Sequence, residues 1–303
     1  MDPAAPAGPV RLQRGPALRF RPRLPSRAWN DVLTDDRDPG GRLRAIRRLA
    51  SVVLFTLPCL VVQAVLIRLP GRAKNRFAQF YHRSLCRLIG LELRVIGTSS
   101  EARPTLHVSN HSSWLDVLVL GAMLDARFVA KSEVAGWPLI GWVAKLGRTV
   151  FVSRSRGRTG SEAQEMRARL DAGDSLILFP EGTTSDGSRV LPFRSSFFTV
   201  AGAAASVQPV TVVYDRLGGL PVGRRGRPLF AWYGDMETGS HAWRLLRHTG
   251  TRVTLVLHPA FPPGIAPDRK ELAARVGRAV AETAAVLRQN RQVAPEPAQV
   301  ILS

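Results

Sequence analysis

Thr105-Leu106-His107-Val108-Ser109-Asn110-His111-Ser112-Ser113-Trp114-Leu115-Asp116 decides how the rest of the chain is read. A short, largely apolar run ends at Ser109, gives way to a polar Asn-His-Ser-Ser, and then enters Ser113–Leu124, whose spacing suits a helix. The same texture recurs on both sides. Leu91–Ile96, Arg127–Ala130, Thr149–Val152, Ser175–Phe179, Gln208–Tyr214 and Val253–His258 read as strands. Pro138–Leu146, Ser161–Ala172, Ser195–Ala205 and Pro267–Gln289 read as helices. This alternation predicts an α/β domain over residues 91–290, with a mostly parallel sheet covered by helices. No internal repeat interrupts it.

Polar residues follow four of these strands: Asn110-His111, Lys131, Ser153-Arg154 and Pro180-Glu181-Gly182-Thr183. The C-terminal ends of parallel strands form the usual ligand crevice of an open α/β sheet. His111, Lys131, Arg154 and Glu181 are therefore expected along one edge.

His111 and Asp116 are five residues apart, a turn of roughly 500° on a continuous helix, which leaves them on different faces. They meet if His111 lies in the loop and Asp116 in the first helical turn. The acid then holds one imidazole nitrogen and leaves the other free to take a proton. Ser113-Trp114-Leu115-Asp116 is also a capping box, in which the acid only completes a helix start. Arg154, followed by Arg156 and Arg158, has the forked donor that grips a phosphate, or it belongs to a solvated basic loop. Lys131 offers a charge to a phosphate or an oxyanion; Gly182 allows close backbone approach after Pro180 and Glu181.

Outside this domain, charge and hydropathy carry the reading. The 303 residues hold 43 Lys and Arg against 23 Asp and Glu, a net charge of +20, and only four of the basic residues are Lys. Such a balance favours an anionic partner: nucleic acid, an anionic lipid surface or a phosphorylated substrate. Aromatic residues do not interleave with the arginines, and no nucleic-acid-binding signature is present, so nucleic acid is not expected as a partner. Two cysteines, Cys59 and Cys86, have neither disulfide-framework nor metal-ligand spacing, and no metal or bound cofactor is expected.

Residues 1–40, with seven prolines among scattered arginines, read as a flexible basic tail, and 291–303 as a C-terminal tail. Between tail and catalytic domain, residues 41–90 read as a membrane-associated helical anchor. Leu49–Ile67 is almost wholly apolar, and as a helix it would reach roughly 28 Å against a bilayer core of roughly 30 Å. Arginines flank it on both sides: Arg42, Arg44, Arg47 and Arg48 before, Arg68, Arg72 and Arg76 after. A single crossing cannot satisfy the positive-inside bias at both flanks. A hairpin reversing at Pro58 satisfies it; a single span and a buried helix remain the alternatives. The stretch from Phe77 to Ile89 continues as an amphipathic helix. With no secretory signal ahead of the anchor, the catalytic domain is expected at the cytoplasmic face of the inner membrane.

Taken together, the blocks resemble the PlsC-like family of bacterial lysophosphatidate and related glycerolipid acyltransferases. The H-x4-D block is His111 to Asp116. The Gly-x-x-x-Phe-x-x-Arg block is similar to Gly147, Phe151 and Arg154, with Ser153 where an Asp or Asn is more familiar. Phe179-Pro180-Glu181-Gly182-Thr183 matches the third block, and Val207-Gln208-Pro209-Val210-Thr211 the fourth. Lys131 falls where the family carries a lysine.

The resemblance implies transfer of a fatty acyl group from acyl-CoA or acyl carrier protein to the free hydroxyl of a lysolipid at the membrane surface. It assigns catalysis to His111 and Asp116, and substrate binding to Arg154, Glu181, Gly182, Thr183 and Lys131. Trp137, Leu139, Ile140 and Trp142 line an acyl groove, lie at the interface, or simply pack. The default acceptor is 1-acyl-glycerol-3-phosphate, giving phosphatidic acid. Tyr233-Gly234-Asp235-Met236 with His241-Ala242-Trp243 instead resembles lyso-ornithine-lipid acyltransferases. A non-catalytic basic membrane- or nucleic-acid-binding protein is the remote alternative.

Overall fold

The computed structural model describes residues 39–137, 140–152, 159–293 and 299–302. The proline-rich stretch before residue 39 lies outside them. Two helices open the described chain, α1 (Pro39–Leu66) and α2 (Ala73–Ile89). They are followed by β1 (Leu91–Ile96), β2 (Thr105–Ser109), α3 (Leu115–Met123), β3 (Arg127–Lys131), α4 (Ile140–Leu146), β4 (Val150–Val152), α5 (Thr159–Asp171) and β5 (Leu176–Leu178). A 3₁₀ segment, Ser195–Ala203, leads into β6 (Ser206–Leu217) and β7 (Leu220–Pro221), then α6 (Thr238–Leu246), β8 (Thr251–Leu257), α7 (Arg269–Arg288) and β9 (Gln299–Leu302).

The sheet runs β4-β3-β5-β2-β6-β8-β1-β9. From β4 to β6 every neighbour is parallel, so the strands that end at Val152, Lys131, Leu178 and Ser109 all finish on one edge. β8 reverses direction against β6 and pairs in parallel with β1. β2 is buried along its whole length, as a central strand covered on both faces must be. One apolar layer brings Leu115, Val119 and Leu120 of α3 against Val210 and Val212 of β6. The other sets Leu272, Val276 and Val280 of α7 against Leu106, Val108 and Val207.

Gly121 lets α2 and α3 touch. A β-carbon there would lie 2.6 Å from the His82 ring, inside van der Waals contact.

Three expectations change. Leu49–Ile67 does not reverse at Pro58: α1 continues through it, and the chain turns back at residues 67–72 into α2. One missing N–H costs a helix interior about 3 kcal/mol, which is too little to reverse a helix held on both sides of the proline. Upstream, Arg48, 8% exposed, donates to the carbonyls of Leu246 (3.0 Å) and His248 (2.6 Å). Downstream, the Gln63 amide donates to Lys74 and Leu146 carbonyls at 3.3 and 3.1 Å. Between them the Phe55 and Tyr81 rings stack at 5.9 Å.

The expected helix over Ser195–Ala205 is a 3₁₀ segment; its β-branched Thr199 and Val200 and its Gly202 weaken an α-helix. Within the stretch read as a C-terminal tail, β9 pairs antiparallel with β1.

Replacing Arg48 with Met leaves two carbonyls without their donor. We expect a loss of about 1–3 kcal/mol in denaturant titration in detergent; an unchanged midpoint would show that α1 is held without this contact.

Candidate active site

At the end of β2 the Asn110 side chain bonds to β6 in both directions. It donates to the Val212 carbonyl at 2.9 Å and accepts from the Val212 N–H at 2.8 Å. That clamp sets the next residue, His111, at the edge of the sheet. Its imidazole is 20% exposed, and Nδ1 lies 2.8 Å from Oδ2 of Asp116, which is fully buried in the first turn of α3.

The same Oδ2 accepts the backbone N–H groups of Ser112 (2.8 Å) and Ser113 (2.9 Å). Oδ1 accepts the Tyr214 hydroxyl at 2.7 Å. The capping reading and the dyad reading of Asp116 therefore hold at once: one carboxylate ties the loop into the helix start and also orients the ring. Burial, followed by the Asp116 charge, holds the Tyr214 hydroxyl proton well beyond the ordinary phenol range. Tyr214 is a fixed donor. With Asp116 on Nδ1, Nε2 is the ring nitrogen left for another partner.

On the neighbouring strand end, Phe179 stacks on the His111 ring with centroids 4.0 Å apart and planes 17° from parallel. Phe128 lies behind it, 6.4 Å away. Glu181 is 2% exposed, and both its oxygens are committed to backbone. Oε1 accepts the His111 N–H at 2.8 Å and Oε2 the Leu191 N–H at 3.0 Å. Burial pushes its carboxyl up to about 7, against the opposing pull of those two N–H groups. Gly182 turns at φ 72, a conformation that favours glycine, and Thr183 is exposed beside it. The Ser185 N–H returns to the His111 carbonyl at 2.9 Å, so the two loops lock together.

Of the residues singled out from sequence, His111, Asp116 and Glu181 form one connected cluster. Lys131 is exposed at the end of β3, with β5 between its strand and β2. Arg154, with Ser153, Arg156 and Arg158, lies outside the described residues, as does Leu139. Trp137, Ile140 and Trp142 are 38%, 45% and 68% exposed, which leaves them at the surface rather than in helix packing.

Asn110 and Phe179, read from sequence only as neighbours within the His111 and Glu181 blocks, complete the site together with Tyr214, which sequence reasoning did not mark. Tyr214 reaches Asp116 from β6 and Phe179 reaches His111 from the end of β5. Only the parallel register, Ser109 opposite Val210, signals that Tyr214 lies within reach. The segment after β7 also closes on the site. The Trp232 N–H donates to the Ser112 carbonyl at 2.8 Å, and Trp114 Nε1–H donates to Nδ1 of His241 at 3.1 Å. Burial lowers His241 to about 4, so it stays neutral and can accept that bond.

Comparison with known proteins assigns this sheet edge and its H-x4-D pair to a class of acyl-transferring enzymes. A family model described as Acyltransferase matches residues 92–214. The lyso-ornithine lipid O-acyltransferase of Brucella abortus is 42% identical over 243 residues, covering 77% of this chain and 91% of that protein. Its namesake in Rhizobium meliloti is 36% identical, covering 76% and 82%. The 1-acyl-sn-glycerol-3-phosphate acyltransferase of Neisseria gonorrhoeae is 32% identical over 52% of this chain and 60% of its own length. Among solved structures, the 1-acyl-sn-glycerophosphate acyltransferase PlsC of Thermotoga maritima superposes with a TM-score of 0.57 at 22% identity. It covers 82% of this chain and 99% of that one. The chain belongs to the PlsC-like acyltransferase family.

Because the folded-state value of Glu181, about 7, exceeds its ordinary 4.5, its contribution to stability is full below pH 4.5 and is lost as pH rises through 7. Glu181→Gln removes that titration, while the buried histidines titrate alike in both proteins. The Tm of wild type minus variant is expected to fall between pH 4.5 and 8; a flat difference contradicts the buried, proton-binding carboxylate.

Proposed function

We propose that the protein is a lysolipid O-acyltransferase that moves a fatty acyl group from acyl-CoA or acyl carrier protein to the free hydroxyl of lyso-ornithine lipid. The observation that carries the chemistry is the 2.8 Å contact between His111 Nδ1 and the buried Asp116 carboxylate. Nε2 takes the hydroxyl proton as the alkoxide oxygen attacks the thioester carbonyl. The C–O bond forms, the tetrahedral intermediate collapses with cleavage of C–S, and the imidazolium returns its proton to the thiolate. Asp116 holds the tautomer and stabilises the imidazolium. No nucleophile from the protein is needed, because the acceptor brings its own.

The acceptor assignment draws on relatives named lyso-ornithine lipid O-acyltransferases, which align over most of both chains. The relatives named for 1-acyl-sn-glycerol-3-phosphate align over about half of this one. That phosphate acceptor, the default from sequence, is the second reading and is favoured by the same relatives. Arg154 and Lys131 are assigned to the anionic parts of the substrates, and Gly182 and Thr183 to the floor of the acceptor site. Glu181 is a positioning residue for the His111 loop.

Membrane attachment is part of the proposal. Among the described helices, Gly41–Leu66 is long and apolar enough to cross a membrane. Its side chains Leu43, Leu54 and Val61 are 69%, 72% and 67% exposed, an apolar face without cover from the rest of the fold. We assign this face, with Trp137 and Trp142, to the cytoplasmic side of the inner membrane.

In detergent micelles, a panel of lysolipids assayed with both thioester donors should show acylation of lyso-ornithine lipid. His111→Ala is expected to lower kcat by about 10²–10⁴ with the fold intact by circular dichroism; undiminished turnover would remove the base from the mechanism. Leu54→Glu with Val61→Glu should release the protein from sedimenting lipid vesicles without lowering Tm. Retained binding would place the attachment elsewhere.

A further inference from the structure

Beside the dyad, with Tyr214 in its wall, lies a shallow recess open to solvent. Ser112, Gly187, Tyr214 and Phe230 line it together with two arginines, Arg227 and Arg288. Ser112 adjoins His111 in sequence, and Tyr214 bonds to Asp116, so the recess is one residue from the reacting centre.

The two arginines come from unrelated parts of the fold. Arg227 precedes the segment that closes on Ser112, and Arg288 ends α7. Among the described residues neither guanidinium makes a hydrogen bond or a contact-distance ion pair, whereas Arg127 and Arg252 are each paired to an aspartate at 2.5 Å. Burial and the Arg227 charge both act against the charged form of Arg288; Glu181 and Asp186 favour it from further off. Glu181 cannot turn to meet it, because both its oxygens hold backbone N–H groups. Asp186 is exposed and takes the N–H and hydroxyl of Ser188 on one oxygen. Two guanidinium groups sharing a recess without a bound counter-charge are arranged for an anion, which they can grip with forked, paired donors.

We infer that Arg227 and Arg288 form the subsite for the anionic group of the acceptor headgroup, a carboxylate in lyso-ornithine lipid. The assignment deepens the proposed function and rests on it for the identity of the acceptor. Binding there sets the headgroup beyond Tyr214 and turns the acceptor's hydroxyl towards Nε2 of His111. Asp186, at the rim next to Gly187, is placed to meet the side-chain ammonium of the same headgroup, whereas a phosphate headgroup has no group for it. The shared chemistry, one oxyanion on two arginines, also fits a lysophosphatidate or a phosphate of the thioester donor.

Steady-state kinetics of Arg288→Gln and Arg227→Gln separate these sources. For lyso-ornithine lipid, KM should rise about ten-fold or more in each variant, with kcat within about two-fold and KM for the donor unchanged. The methyl ester of the acceptor's carboxylate should show the raised KM in wild type and no further rise in either variant. An equal loss on acid and ester would mean a structural role and overturn the subsite, as would a raised donor KM. If wild type acylates 1-acyl-glycerol-3-phosphate and not lyso-ornithine lipid, the acceptor reading fails alone. The same comparison, run with that phosphate and its methyl-capped form, then decides the subsite.

Discussion

An ionised carboxylate with no exposure to water is costly, and the fold is arranged to offset that cost. Moving such a group out of solvent carries a penalty of several kcal/mol unless its lone pairs are met. Asp116 meets four donors: His111 Nδ1–H, the N–H groups of Ser112 and Ser113, and the Tyr214 hydroxyl. These come from the loop after β2, the start of α3 and the distal part of β6. One side chain thus joins three elements, and the orientation of the His111 ring is a by-product of satisfying a buried charge.

The mate of this arrangement is Glu181. It works on backbone rather than on a ring, tying the loop after β2 to the loop after β5. Parallel neighbours make such a link possible, because β2 and β5 end side by side. Phe179 covers one face of the His111 ring. The ring is therefore held by a carboxylate at one nitrogen, an aromatic plate on one face and an N–H anchor at its own backbone. The His111 side chain keeps 20% of its surface open.

Much of this was legible from local sequence. Strand ends followed by polar residues located His111, Lys131 and Glu181 on one edge, because apolar runs and their termini are local features. The i, i+5 spacing required a loop-then-helix arrangement, and the structure has it. What escaped was long-range. Tyr214 carries no local mark of its bond to Asp116, and the backbone role of Glu181 depends on a loop ten residues on. Helix α6 was missed because it is nine residues long and is capped by Glu237, a residue type not favoured at that position. Pro58 misled for a physical reason: its penalty is local, whereas the bonds of Arg48 and Gln63 hold the helix on either side.

The central claim is that Asp116 selects the tautomer of His111, and nitrogen-15 NMR of histidine-labelled protein tests it directly. With the six histidines resolved by a His111 variant, the neutral ring of His111 is expected to carry its proton on Nδ1, strongly deshielded, with Nε2 bare. Asp116→Asn should shift that proton towards Nε2. A wild-type ring protonated at Nε2, or a spectrum indifferent to the Asp116 substitution, would contradict the account.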